Sequence, residues 1–170
     1  VAVITGSGRG IGREFALSMA REGANIVIND VGVSLDGQDT VEDPAAQTVV
    51  DIKALGVGAV ASYESVTDYE AAGRLIRTAV DEFGKIDILV NNAGIVRDRS
   101  LLKMTPEDFD AVVKVHMYGT FNTAQHAAGL MKEAGYGRII NVTSQAGMRG
   151  NFGQTNYGAA KAAIMGMTFI

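Results

Sequence analysis

The stretch that most constrains this 170-residue chain is its first. An apolar run, Val1-Ala2-Val3-Ile4, enters the turn Thr5-Gly6-Ser7-Gly8-Arg9-Gly10-Ile11-Gly12, which opens into an amphipathic stretch from Arg13 to Glu22. β-Branched residues favour a strand, and the switch to a 3.6-residue period marks a helix. The glycines between them permit positive φ and close approach of a phosphate, while the helix start offers N–H donors and a favourable dipole. A glycine triplet alone also suits a tight turn with no ligand. Here a second apolar run, Asn25 to Asn29, follows, and Asp30 stands eighteen residues past Gly12. An acid at that place can take both ribose hydroxyls of NAD and repels the 2′-phosphate of NADP. The unit reads as a dinucleotide-binding βαβ, with Gly6, Ser7, Arg9, Gly10, Ile11, Gly12 and Asp30 around the cofactor. Arg9 keeps three readings: support for NADP, a place along the pyrophosphate, or the surface. Asp30 tips the expectation to NAD.

Strand and helix patterns alternate along the rest of the chain. Strands are predicted at 1–5, 25–30, 57–62, 86–91 and 137–143, and helices near 11–23, 43–55, 68–83, 106–133 and 156–170. Thr105-Pro106-Glu107-Asp108 carries a helix-start signature, and Gly84 a helix stop. Residues 31–42 form a loop longer than most βα connections. The pattern predicts an α/β fold, a doubly wound parallel sheet of Rossmann type. If the strand order is 3-2-1-4-5, its ligand crevice lies above the carboxyl ends of strands one and four. Asn91-Asn92-Ala93-Gly94 ends strand four there; its Asn side chains can tie the strand to its neighbours, and the bland alternative is a polar turn.

Strand five leads to Ser144, and thirteen residues later comes Tyr157, one helical turn before Lys161. Tyrosine ionises near pH 10, and a nearby ammonium favours the phenolate, so the pair can transfer protons. A serine hydroxyl at the same spot can hold a substrate oxygen. Thr143 is the rival hydroxyl, but adjacent strand residues face opposite sides.

The chain carries a net charge of −4 with no basic block, which argues against nucleic acid as a partner. It has no cysteine, which excludes disulfides and thiolate metal sites and fits a reducing compartment. No metal site is expected. The apolar runs are too short to span a bilayer, and no signal-peptide pattern is present. The first residue falls inside a strand and the last inside a helical pattern. The expectation is one dinucleotide-binding domain, 1–170, truncated at both ends, with C-terminal strands missing.

Together, Thr-Gly-x-x-x-Gly-x-Gly at 5–12, Asn-Asn-Ala-Gly at 91–94, and Ser144, Tyr157 and Lys161 at this spacing resemble the short-chain dehydrogenase/reductase family. The resemblance implies an enzyme that oxidises an alcohol or reduces a ketone with NAD(P). It also implies that Tyr157 is the general acid/base, that Lys161 tunes it and contacts the nicotinamide ribose, and that Ser144 orients the substrate oxygen. Asn92, Ala93 and Gly94 then border the cofactor, as do Ser65 and Val66. Ser65 replaces the family's usual Asp; it can bond the adenine or serve as a strand-end turn residue.

A narrower resemblance rests on the loop after Asp30, Glu64-Ser65-Val66, Ile95 to Ser100, Val115 to Gly119 and Gly150 to Tyr157. These stretches look like the (3R)-hydroxyacyl-CoA dehydrogenase module of peroxisomal multifunctional enzymes and their bacterial relatives. That group implies NAD as the cofactor and a fatty acyl-CoA as the small-molecule substrate. It also implies a cytoplasmic location in a bacterium or a peroxisomal one in a eukaryote, not a secreted one. The alternatives are another substrate (a ketoacyl carrier thioester, a steroid or a polyol) or a non-catalytic cofactor-binding fragment. His116 stands where most of the family has Asn, as a fourth catalytic residue in a proton relay; a core histidine beside Val112 and Thr120 is the rival reading. His126 reads as structural or exposed. Arg97, Arg99 and Lys103 can meet CoA phosphates, against a solvated face with Arg97 paired to Asp98. A homodimer or homotetramer is implied by resemblance, through helix 106–133 and the helix from 156.

Overall fold

The computed structural model describes residues 1–38 and 43–170. Five strands, β1 (Ala2–Thr5), β2 (Ile26–Asn29), β3 (Ala59–Ser62), β4 (Ile88–Asn91) and β5 (Arg138–Asn141), form one parallel sheet in the order β3-β2-β1-β4-β5. Each pairing is parallel and in phase, with Ile4 opposite Ile28 on one side and Val90 on the other. The order is that of the doubly wound dinucleotide-binding arrangement. Residues 39–42 of the expected loop lie outside the described residues.

Alternation along β1 divides the core in two. Ala2 and Ile4 point into a cluster with Leu17, Ile28 and Ile52, under α1 (Gly10–Arg21) and α2 (Pro44–Lys53). Val3 points the other way, into Val27, Leu75, Ile76, Leu89 and Met131. That layer lies under α3 (Tyr69–Phe83) and α5 (Gly119–Ala134). All of β1 and β2 is buried, as a parallel sheet covered on both faces requires.

Three features differ from the sequence expectation. The helix expected over 106–133 is α4 (Pro106–Val113), a π turn (Lys114–Tyr118) and then α5. The wider turn carries His116, whose buried ring bonds to the main chain of Ile95. A single π turn in a long helix is a rare feature, often found at functional sites. A short helix, α6 (Gln145–Arg149), follows β5 directly; α7 (Thr155–Thr168) comes next. Finally, Arg97 does not pair with Asp98. Its Nε donates to the Asp36 carbonyl at 2.8 Å and its Nη1 lies 3.9 Å from Asp108. No described helix is long and apolar enough to cross a membrane.

Polar side chains tie the strand ends together on the carboxyl edge of the sheet. The Thr5 hydroxyl accepts from Asn92 N at 3.0 Å and Ala93 N at 2.9 Å and donates to Val90 O at 3.4 Å. Asn92 Nδ2 returns to the carbonyls of Thr5 and Gly6, both at 3.0 Å. Asn29 bonds the carbonyls of Ser62 and Glu64, and Asn91 bonds Asn141 and Thr123. The site is hung from this edge. Thr5→Val keeps the shape but leaves two amides without an acceptor, so it should lower the unfolding free energy by about 2 kcal/mol in denaturant melts. Thr5→Ser should restore most of it.

Candidate active site

The crevice lies over the carboxyl ends of β1 and β4 and encloses about 640 Å³. Its floor is the glycine turn. Gly6 has φ 62° and Gly10 φ 56°. A Cβ on Gly12 would stand 2.3 Å from Gly6 O and 2.5 Å from Asn92 Nδ2, so a side chain there would fill the cradle. Arg9 occupies the N-cap of α1 without capping it through its side chain, and the first turn contains no acid. The leading amides of α1 and the positive end of its dipole therefore face the crevice, where Gly10, Ile11 and Gly12 line it. This suits the pyrophosphate of a dinucleotide.

Ser7 works from behind the turn. Fully buried, it donates from Oγ to Ile4 O at 2.6 Å and accepts from Asn29 N at 3.2 Å. Its side chain is spent on the fold, and it lies outside the lining of the crevice. Asp30, at the end of β2, lines the crevice; its carboxylate accepts Gly8 N at 3.1 Å and Gly32 N at 2.9 Å. The acid that would meet a ribose thus also shapes the turn. The Arg9 guanidinium donates to Val33 O. Ser65 lines the wall and pairs with Thr67 Oγ1 at 2.9 Å. Val66 packs beside it, and its carbonyl holds Asn122.

At the far end, α7 brings Tyr157 and Lys161 into the same crevice as Asn92, Ala93, Gly94 and His116. Lys161 is buried; its Nζ donates to Val142 O at 2.6 Å and stands 5.6 Å from the Tyr157 ring centroid. Burial pushes its ammonium down to about 8. The His116 ring meets Tyr157 edge-on, with centroids 5.1 Å apart. His116 Nε2 lies 2.9 Å from Ile95 O and 3.2 Å from Ile95 N, while Nδ1 is buried with no hydrogen-bond partner. Burial first, and then the charge on Lys161, push this imidazole down to about 4. His116 is therefore neutral at physiological pH. Gly94 makes room for it, since a Cβ there would lie 2.2 Å from His116 Cε1.

The two hydroxyls after β5 separate as strand alternation requires. Thr143 Oγ1 donates to Lys161 O at 3.0 Å and fixes α7. Ser144 Oγ accepts Ala146 N at 3.2 Å, capping α6. Ser144 lies outside the lining of the crevice that holds Tyr157 and Lys161. His126 bonds Tyr69 O at 3.0 Å and packs on its ring, a structural role.

Sequence reasoning missed Asn156. Fully buried one residue before Tyr157, it donates to Arg97 O at 3.0 Å and Asp108 O at 3.1 Å, while its Oδ1 accepts Tyr157 N at 2.8 Å. Its only local signal is an amide side chain at a helix start. The crevice wall formed by Val33 and Leu35 was equally invisible, because it comes from the interior of a long loop.

Comparison with known proteins places the chain. The family model described as short chain dehydrogenase matches residues 1–169. Peroxisomal multifunctional enzyme A of Dictyostelium discoideum is 47% identical over 168 residues, which are 99% of this chain and 37% of that protein. A 3-oxoacyl-[acyl-carrier-protein] reductase of Synechocystis is 44% identical over 168 residues, 99% of this chain and 65% of that protein. The crystal structure of a short chain dehydrogenase from Mycobacterium avium superimposes with a TM-score of 0.89 at 49% identity. That match covers 98% of this chain and 60% of the crystallised one. The chain thus spans less than two thirds of each of these relatives. From the glycine turn to the Tyr157–Lys161 pair, it belongs to the short-chain dehydrogenase family.

Proposed function

We propose that the protein carrying this chain is an NAD-dependent oxidoreductase that interconverts a secondary alcohol and a ketone. Its best-supported substrate pair is a (3R)-3-hydroxyacyl-CoA and the 3-ketoacyl-CoA. The observation that carries the reading is one crevice with Tyr157 and Lys161 at one end and the uncapped start of α1 at the other. NAD rather than NADP follows from Asp30, whose fixed carboxylate would face a 2′-phosphate at a cost of about 1 kcal/mol or more at short range. The acyl-CoA follows from the narrower motif set and from the similarity to a peroxisomal multifunctional enzyme. The carrier-protein reductase relative keeps an acyl-carrier thioester as the second reading.

The nicotinamide, when bound, supplies the hydride acceptor. The chain's own task is the proton. Tyr157 takes the hydroxyl proton of the substrate at its phenolic oxygen as the carbinol carbon gives up hydride. Lys161, held by Val142 O, keeps a positive charge near the ring while negative charge develops on that oxygen. Ser144, at the start of α6 and outside the crevice lining, would hold the substrate oxygen through its hydroxyl hydrogen while one of its lone pairs serves Ala146 N. His116 enters the proton relay as a neutral ring whose open position is Nδ1. Exposed Tyr118 and Phe121, three residues apart, offer apolar surface for a homodimer or homotetramer.

Three outcomes follow for the full-length protein. NAD should be reduced with a (3R)-hydroxyacyl-CoA but not with its (3S) isomer or a steroid alcohol; turnover of the steroid alone would overturn the substrate. Tyr157→Phe should cut turnover by at least the roughly 10²–10⁴ typical of a lost general acid/base, with NADH binding kept. A residual rate above about a tenth of wild type would contradict the assignment. His116 gives a stability signature. Its folded value of about 4 lies below the unfolded 6.5, so the unfolded chain binds the extra proton between them. That contribution is present above pH 6.5 and is lost as pH falls toward 4, on the order of 3 kcal/mol in all. His116→Asn should flatten this part of the melting-temperature profile.

A further inference from the structure

We propose that the segment Val33–Gly37 is a strap across the mouth of the crevice, latched by Arg97, and that this latch sets how tightly and how long a dinucleotide is held. The inference rests on the dinucleotide reading of the crevice. The connection leaving β2 does not turn straight back along the sheet. It crosses from Asp30 to the segment beyond β4, where Val96 N donates to Leu35 O at 2.9 Å and Arg97 Nε to Asp36 O at 2.8 Å. On the opposite side the Arg9 guanidinium, rising from the glycine turn, donates to Val33 O. Val33, Ser34 and Leu35 line the crevice from the strap.

The strap is ordered within itself. Gly37 N closes its turn on Ser34 O at 2.9 Å, and the Ser34 hydroxyl donates to Asp36. Leu35 remains 70% exposed, so its own burial contributes little to holding the strap down. Segments with few buried contacts open at low free energy, and among the described residues these three cross-ties oppose that opening.

Arg97 is built as a fixed group. Its side chain is only 18% exposed, and it lies 3.9 Å from Asp108. Its carbonyl accepts from Asn156 Nδ2, and the same side chain of Asn156 accepts the amide of Tyr157. The latch therefore stands on the first turn of the helix that carries the proton-transfer tyrosine. A guanidinium committed in this way is not free for substrate phosphates, in contrast to the exposed Lys103.

The test is stopped-flow fluorescence of NADH with the full-length protein, beside amide hydrogen exchange over residues 33–37 without nucleotide. Arg97→Ala should raise both the dissociation rate and Kd about tenfold, the scale of one hydrogen bond to a charged group. It should also speed exchange in the strap. Arg97→Lys should fall between, since an ammonium keeps the charge but not the fixed fork. Lys103→Ala, which removes a neighbouring positive charge outside the latch, should match wild type in both readouts. Equal NADH release from Arg97→Ala and Lys103→Ala, with unchanged exchange, overturns the strap. Should the alanine variant not fold, wild-type release and exchange in Arg97→Lys overturn it equally. Failure of the wild type to bind NADH at all would instead remove the dinucleotide reading.

Discussion

Every strand of this sheet ends at the same edge, and at that edge the chain must leave in two directions. β1 is the central strand, with β2 and β4 beside it and helices on opposite faces. The strand-end amides there have no ladder partner, and a buried unpaired amide costs free energy. Thr5 resolves this with one hydroxyl that uses its donor and both acceptor positions, while Asn92 closes the loop from the other side. With that knot tied, the glycine turn and the Asn-Asn-Ala-Gly strand end face each other across a fixed gap. The crevice is the space between them.

The far end of the crevice is an electrostatic arrangement of two buried bases. Lys161 and His116 stand on different helical segments, and desolvation lowers both. The ammonium also suppresses protonation of the imidazole, so one of the two carries charge at neutral pH and the other does not. A neutral His116 can hold Ile95 and present its ring edge to Tyr157 without adding a second cation beside it. The π turn places the ring there, and Gly94 leaves it the room. Asn156 then fixes Tyr157 from the other side through backbone bonds to two separate elements.

Much of the fold was legible because period is a local property. Alternation within four-residue strands and the 3.6-residue spacing of α3 appear in the sequence whatever the rest of the chain does. Glycine turns and caps such as Thr105 are equally local. The π turn was not legible, since one extra residue inside a long apolar pattern leaves no mark on composition. α6 is five residues long, too short for a periodic signal. Adjacency in sequence offers Asp98 as a partner for Arg97, yet it is Asp108, on α4, that stands near its guanidinium.

The sequence by itself determined the fold class, the glycine-rich turn at the start of α1 and the one-turn spacing of Tyr157 and Lys161. Each is encoded in spacing over a few residues. Only the tertiary structure decided that Ser7 serves the fold, that Ser144 caps a short helix and that His116 is neutral. It alone also joined Arg97 and Asn156 between the cofactor wall and the tyrosine. Those outcomes depend on burial and on partners separated by tens of residues, and such separations carry no local pattern.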